Sequence, residues 1–170
     1  MTFSKVNKVA ITSIFSVIIF TSKLFLPTPI DKMFIIIQAL LLALSSLILK
    51  RMGATYVATI SGILITLFRP TFAPFSLIFS IMYGVLIDAL FYLFKVKIPQ
   101  GDVRTNRVIL ALTLSTAIVG LLTFYVTVVI GLMPMLPILY LTIIISGIIN
   151  GFIAGYFTSI IWNKYLKYKF

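Results

Sequence analysis

The sequence predicts an all-α integral membrane protein: one six-helix transmembrane domain over residues 1–170, with both termini cytoplasmic. Three observations carry this. First, 61% of the 170 residues are hydrophobic and the mean hydropathy is +1.20, whereas a soluble domain is nearer half apolar. Second, the apolar residues fall into long runs parted by short polar or proline-bearing breaks, the pattern of successive membrane helices. Third, the basic residues cluster at alternate breaks, as charge does on the cytoplasmic side of a membrane protein. A formal charge of +11 also suits nucleic-acid binding, but that function needs a basic stripe on a soluble surface, and this charge sits in short clusters between apolar runs. The chain has no histidine and no cysteine, which removes disulfides, thiol nucleophiles and histidine-based metal sites or triads.

The clearest stretch runs from Lys50 to Lys97. Two apolar spans are bracketed by basic pairs and broken by FRPTFAP, with Arg69, Pro70 and Pro74. It reads as a membrane hairpin. In chain order, helix 1 is expected over about Val9–Leu26, ended by Pro27 and Pro29, which lack an amide donor. Lys5 and Lys8 precede it, but KLFLPTPIDK shows no small-residue cleavage pattern, so the run reads as a retained helix and not a signal peptide. Helix 2 is expected over Met33–Leu49 and helix 3 over Ala54–Phe68, short against the roughly 20 residues of a span. Helix 4 begins near Thr71 or Phe75 and ends near Phe94, with Pro74 tolerable in its first turn. After the polar stretch Lys95–Arg107, helix 5 covers Val108–Ile130. Helix 6 covers Ile138–Trp162 beyond the chargeless turn GLMPMLP.

Six spans put both ends on one side. Lys5, Lys8, Lys50, Arg51, Lys95, Lys97, Arg104, Arg107, Lys164, Lys167 and Lys169 fall on that side. The opposite breaks hold only Lys23, Lys32 and Arg69 of the 14 basic residues. The bias places both termini in the cytoplasm.

Few side chains in the spans carry chemistry. Asp88 is a carboxylate inside helix 4, costly unless it is paired, protonated or facing polar space. It reads as a structural acid bonded to a neighbour such as Asn150, or as a relay for a proton or cation. Arg69 at the outer turn is either an interfacial snorkelling residue or a donor to a carboxylate or phosphate. Asp31 and Lys32 lie on the same side. Gln38 is the only amide in helix 2. Phe72, Phe75, Phe79 and Tyr83 share a helical face at spacings of three and four. Such a stripe faces lipid or core, or stacks on a flat heterocycle. Tyr125 and Tyr140 approach the same outer side. Gly147, Gly151 and Gly155 form a small-residue stripe suited to close helix packing. Asn150 beside them is a ligand contact or a clamp. Ala10, Ser13 and Ser16 lie near one face of helix 1, for packing within the bundle or for docking another membrane subunit.

The pattern of KRMGATYVATISGILITLFRPTFAPFSLIFSIMYGVLIDALFYLF resembles the substrate-binding S component of energy-coupling factor vitamin transporters. It is nearest the thiamine-related YkoE branch, in which a basic residue and a glycine open helix 3 and a glycine-rich, acid-bearing helix 4 follows. The resemblance implies a vitamin or precursor bound near the outer face, beneath the loop between helices 1 and 2. It implies partnership with a scaffold membrane subunit and two cytoplasmic ATPases, and no cofactor. Two positions depart from the family. The helix 1 docking face offers Ala10, Ser13 and Ser16 where many members have an alanine run. Helix 3 carries no acid where thiamine-binding members place a carboxylate, so a neutral or anionic planar ligand suits the charges better than a cation.

No GxxxxGK[ST] motif is present, so any ATP use belongs to partners. The three acids are scattered and histidine is absent, so an enzyme is not expected. A small stand-alone carrier or channel, and a membrane assembly or scaffold protein working through glycine-lined faces, are the alternatives.

Overall fold

The computed structural model describes residues 5–25, 35–49, 52–69, 73–96, 102–131 and 136–167. These form an all-α bundle: α1 Lys5–Phe25, α2 Ile36–Leu49, α3 Gly53–Phe68, α4 Ala73–Leu93, α5 Thr105–Val129 and α6 Pro137–Ile161. One π-helical turn, Trp162–Leu166, continues α6. Four helices (α1, α4, α5 and α6) are long and apolar enough to cross a membrane. Their outward faces carry Val9, Ile14 and Val17 on α1, Leu110, Leu114 and Leu122 on α5, and Ile145, Ile148 and Phe152 on α6, all exposed. So much contiguous apolar surface is stable against lipid and not against water. The chain is a multi-pass membrane protein.

The other two helices are shorter. α2 has 14 residues and α3 has 16, about 21 Å and 24 Å of axial rise. α2 is the hub. Every residue from Leu41 to Leu49 is buried, and α2 touches each of the other five helices. The connection to α3 is tight: a Cβ on Gly53 would fall on the Ser45 carbonyl and within 2.9 Å of Leu49 Cβ. α1 lies at the periphery, on α2 and α3. A single apolar cluster joins Ile19 of α1, Leu42 and Leu47 of α2, Val57 of α3, Tyr83 and Ile87 of α4, Leu112 of α5 and Ala154 of α6.

Helix ends follow local chemistry. α4 stops in a Schellman closure, with Lys95 at φ 46°, its amide donating to Tyr92 O and the Val96 amide donating to Phe91 O. Gly131, at φ 77°, ends α5, a conformation free of Cβ strain only for glycine. α6 opens with Pro137 in its first turn. α1 and α5 begin at Lys5 and Thr105, before the Val9 and Val108 expected from the sequence. Hydropathy marks where lipid begins, and a helix runs on through polar residues such as Asn7 and Asn106 that hydropathy excludes.

Candidate functional site

Two glycine-lined seams position the site. In the α3–α4 seam, a Cβ on Gly84 would stand 2.7 Å from Ala58 Cβ and 2.8 Å from Ala54 O, so the helices touch backbone to backbone there. The Ser80 hydroxyl donates to Ala58 O at 2.8 Å across the seam. At the end of the seam where α3 begins, Asp88 accepts from the backbone amides of Ala54 (3.3 Å) and Thr55 (2.9 Å) and from the Thr55 hydroxyl (2.7 Å). Met52, which precedes α3, offers no side-chain cap. The Asp88 carboxylate therefore caps α3 from the neighbouring helix, where free amides and the helix dipole favour a negative group. Its partner is this helix start and not Asn150.

In the α5–α6 seam, a Cβ on Gly151 would collide with Thr116 Oγ1 and stand 2.6 Å from Thr113 Cα. One on Gly155 would stand 2.7 Å from Ile109 Cα. Thr116 Oγ1 donates to Gly147 O at 2.7 Å. Beyond the helices, the side-chain amide of Asn163 accepts from Val103 N at 2.9 Å and donates to Val103 O at 3.0 Å, and Lys167 pairs with Asp102 at 3.0 Å.

Between these hairpins lies a cavity with about 130 Å³ open to the centres of water molecules, enough for several waters or a small organic molecule. Its mouth is where α1, α3 and α5 finish and α2 and α4 begin, at Lys23, Arg69, Thr127, Ile35 and Phe75. Its inner end reaches Tyr83, Thr116 and Gly147 in mid-bundle. From Phe75 to Tyr83 it follows α4 for about 12 Å. The α4 wall is Phe75, Ser76, Phe79, Ser80 and Tyr83, and the α5 wall is Thr116, Val119, Gly120, Thr123 and Thr127. Gln38 enters from α2, Ile65 from α3 and Ile143 from α6. Among the described residues the wall carries two bases, Lys23 and Arg69, and no acid.

Two polar groups on this wall stand out. Gln38 is 3% exposed and Tyr83 is 1% exposed, yet Gln38 Oε1 and the Tyr83 hydroxyl have no hydrogen-bond partner among the described residues. Buried polar atoms are nearly always paired, and both of these border an open space. Arg69 donates to Leu24 O at 2.9 Å, so it ties the end of α3 to the end of α1 at the mouth.

The structure gathers Gln38, Arg69, Phe75, Phe79 and Tyr83 around one space. Asp31 and Phe72 lie outside the described residues. Tyr125 and Tyr140 are exposed and off the wall, Tyr140 resting against Phe124 with ring centroids 5.8 Å apart. Asn150 is half-buried, off the wall and engaged within the chain. Gly147 serves both seam and cavity. On α1, Ala10 and Ser13 are exposed, whereas Ser16 is fully buried and donates to Thr12 O at 2.8 Å and Val57 O at 3.1 Å. Ser16 therefore joins α1 to α3 and is not available to an outside partner. Sequence reasoning missed Lys23, Ser76, Ser80 and the threonines of α5. The signal for the last was Thr116, Thr123 and Thr127 at spacings of seven and four on one face of an apolar helix. Comparison with known protein families, curated proteins and solved structures finds nothing that matches this chain.

Proposed function

We propose that this chain is a non-enzymatic substrate-binding membrane subunit, the S component of an importer of the energy-coupling factor type, taking up a vitamin or vitamin precursor. The observation that carries the reading is the end-opening cavity with two buried polar atoms, Gln38 Oε1 and the Tyr83 hydroxyl, that have no partner among the described residues, because concave, mainly apolar spaces with a few placed polar groups are where small molecules bind. The basic bias of the sequence supports a mouth facing outside, with both termini in the cytoplasm and the two short helices completing six spans. A scaffold membrane subunit and two cytoplasmic ATPases supply the energy, and the exposed Ala10 and Ser13 face of α1 is the candidate docking surface. The commitment of Asp88 to the start of α3 counts against a stand-alone carrier that uses this acid as its proton relay.

The test has two arms. The purified chain is titrated calorimetrically against a panel of water-soluble vitamins and precursors, and it is assayed for uptake alone in liposomes and together with an energy-coupling module. Saturable binding of one panel member, with uptake only when the module is present, supports the proposal. Uptake by the chain alone would show a stand-alone carrier, and a lack of binding to any member would remove the substrate-binding role.

A further inference from the structure

Resting on that reading of the cavity, we infer the chemical class of its occupant: a small, flat organic acid whose inward end carries N–H or O–H donors and whose carboxylate stays at the mouth beside Lys23 and Arg69. The inward half of the argument comes from where the wall's protons go. A hydroxyl has one proton and two lone pairs. Ser80 gives its proton to Ala58 O at 2.8 Å, Thr116 to Gly147 O at 2.7 Å and Thr123 to Val119 O at 2.7 Å. These hydroxyls, with their protons committed to backbone carbonyls, are left to accept hydrogen bonds from an occupant. Gln38 Oε1, buried and without a partner among the described residues, adds a further acceptor. The donors left on this surface are the Tyr83 hydroxyl at the inner end and the two N–H of the Gln38 amide, fewer than the lone pairs that the hydroxyls and Gln38 Oε1 offer. An occupant that satisfies this surface brings more donors than acceptors to it, because leaving buried acceptors unpaired is costly.

The outward half comes from charge. The two charged side chains on the described wall, Lys23 and Arg69, are bases and both are at the mouth. A carboxylate there is favoured by Coulomb attraction and by charge-assisted hydrogen bonds. Among the described wall residues a cationic ligand meets only like charge. Between the two ends, Phe75 and Phe79 stand one turn apart on α4 and suit a flat ring.

The test uses the full chain in lipid nanodiscs and a panel of one- and two-ring aromatic acids bearing a ring N–H or O–H. Each acid is paired with its carboxamide and with its N- or O-methylated form, and aromatic quaternary ammonium compounds are included as cationic probes. Binding is read by calorimetry and by thermal shift. Acids with a ring donor are expected to bind, and either change is expected to weaken binding by about tenfold or more. Tyr83→Phe and Gln38→Met, which keep the shape of the wall, should shrink the penalty for methylation and leave the penalty for carboxamide unchanged, the coupling expected of direct contact. Hits that are cationic, or that bind equally well as carboxamide or methylated form, overturn the inferred class and leave the cavity reading standing. If no probe of any charge binds, both fall together.

Discussion

The α3–α4 and α5–α6 hairpins solve the same packing problem in different ways. Both bring helix backbones together through glycine, Gly84 in one and Gly151 and Gly155 in the other. Both add a hydroxyl-to-carbonyl bond across the seam, Ser80 to Ala58 and Thr116 to Gly147. They differ in how the end away from the cavity mouth is closed. The α3–α4 hairpin uses a carboxylate within the span, Asp88, on two amides and a hydroxyl of α3. The α5–α6 hairpin shows no carboxylate in its seam among the described residues and is fastened outside it, by Asn163 on Val103 and Lys167 on Asp102. An acid in a membrane helix is thus no sufficient sign of transport chemistry. Here a helix that begins without a cap of its own accounts for it.

The comparison can be broken at four points. The largest effect is expected at Gly151→Leu, which forces a side chain onto Thr113 and Thr116. Separating α5 from α6 should cost about 3 kcal/mol or more, read as loss of the folded fraction in detergent unfolding. Next is Asp88→Ala, which strips the cap from α3 and should cost about 2–3 kcal/mol. Asp88→Asn, with one carbonyl oxygen to accept the same amides, should recover a large part of that. Equal stability of wild type, Asp88→Ala and Asp88→Asn would mean that the acid is not holding the hairpin together. Asn163→Ala, on the other hairpin, should cost about 1 kcal/mol and increase hydrogen exchange at the Val103 amide; an unchanged exchange rate would show that the clasp does not protect it. The smallest effect is expected at Gly147→Ala. A Cβ there meets Thr116 O at 3.4 Å, so the melting temperature should stay close to wild type, and a large fall would mean that the helices approach more closely at Gly147 than this spacing.

Much of the helix plan was legible. The ends of α2, α3, α4, α5 and α6 fall within a few residues of the expected ones, because proline, glycine and charge mark them locally. The stripe of Phe75, Phe79 and Tyr83 could be read as one face, and Gln38 stood out as a lone amide. What escaped was long-range. Nothing near Asp88 in the sequence names Ala54 and Thr55 as its partners, and nothing near Ser16 names Val57. The threonines of α5 were passed over because an isolated threonine in a membrane helix satisfies itself on its own preceding turn, as Thr123 does here. The centre of the bundle was also hidden. Lys50–Lys97 looks like the organising stretch because charge frames it, yet α2, framed less clearly, is the helix that touches all the others.

The enclosure of α2 has a consequence for biogenesis. Synthesis runs from the N-terminus at roughly 5–20 residues per second, so α2 enters the bilayer before α4, α5 and α6 have been made. Its leucines and alanines rest as comfortably among acyl chains as among protein side chains, and Ser45 answers its own need by donating to Leu42 O at 2.7 Å. Gln38 has no such local relief among the described residues. A nascent chain stalled after α3 should therefore hold this helix near the headgroups, where the amide can reach water, and draw it inward only as the later helices arrive.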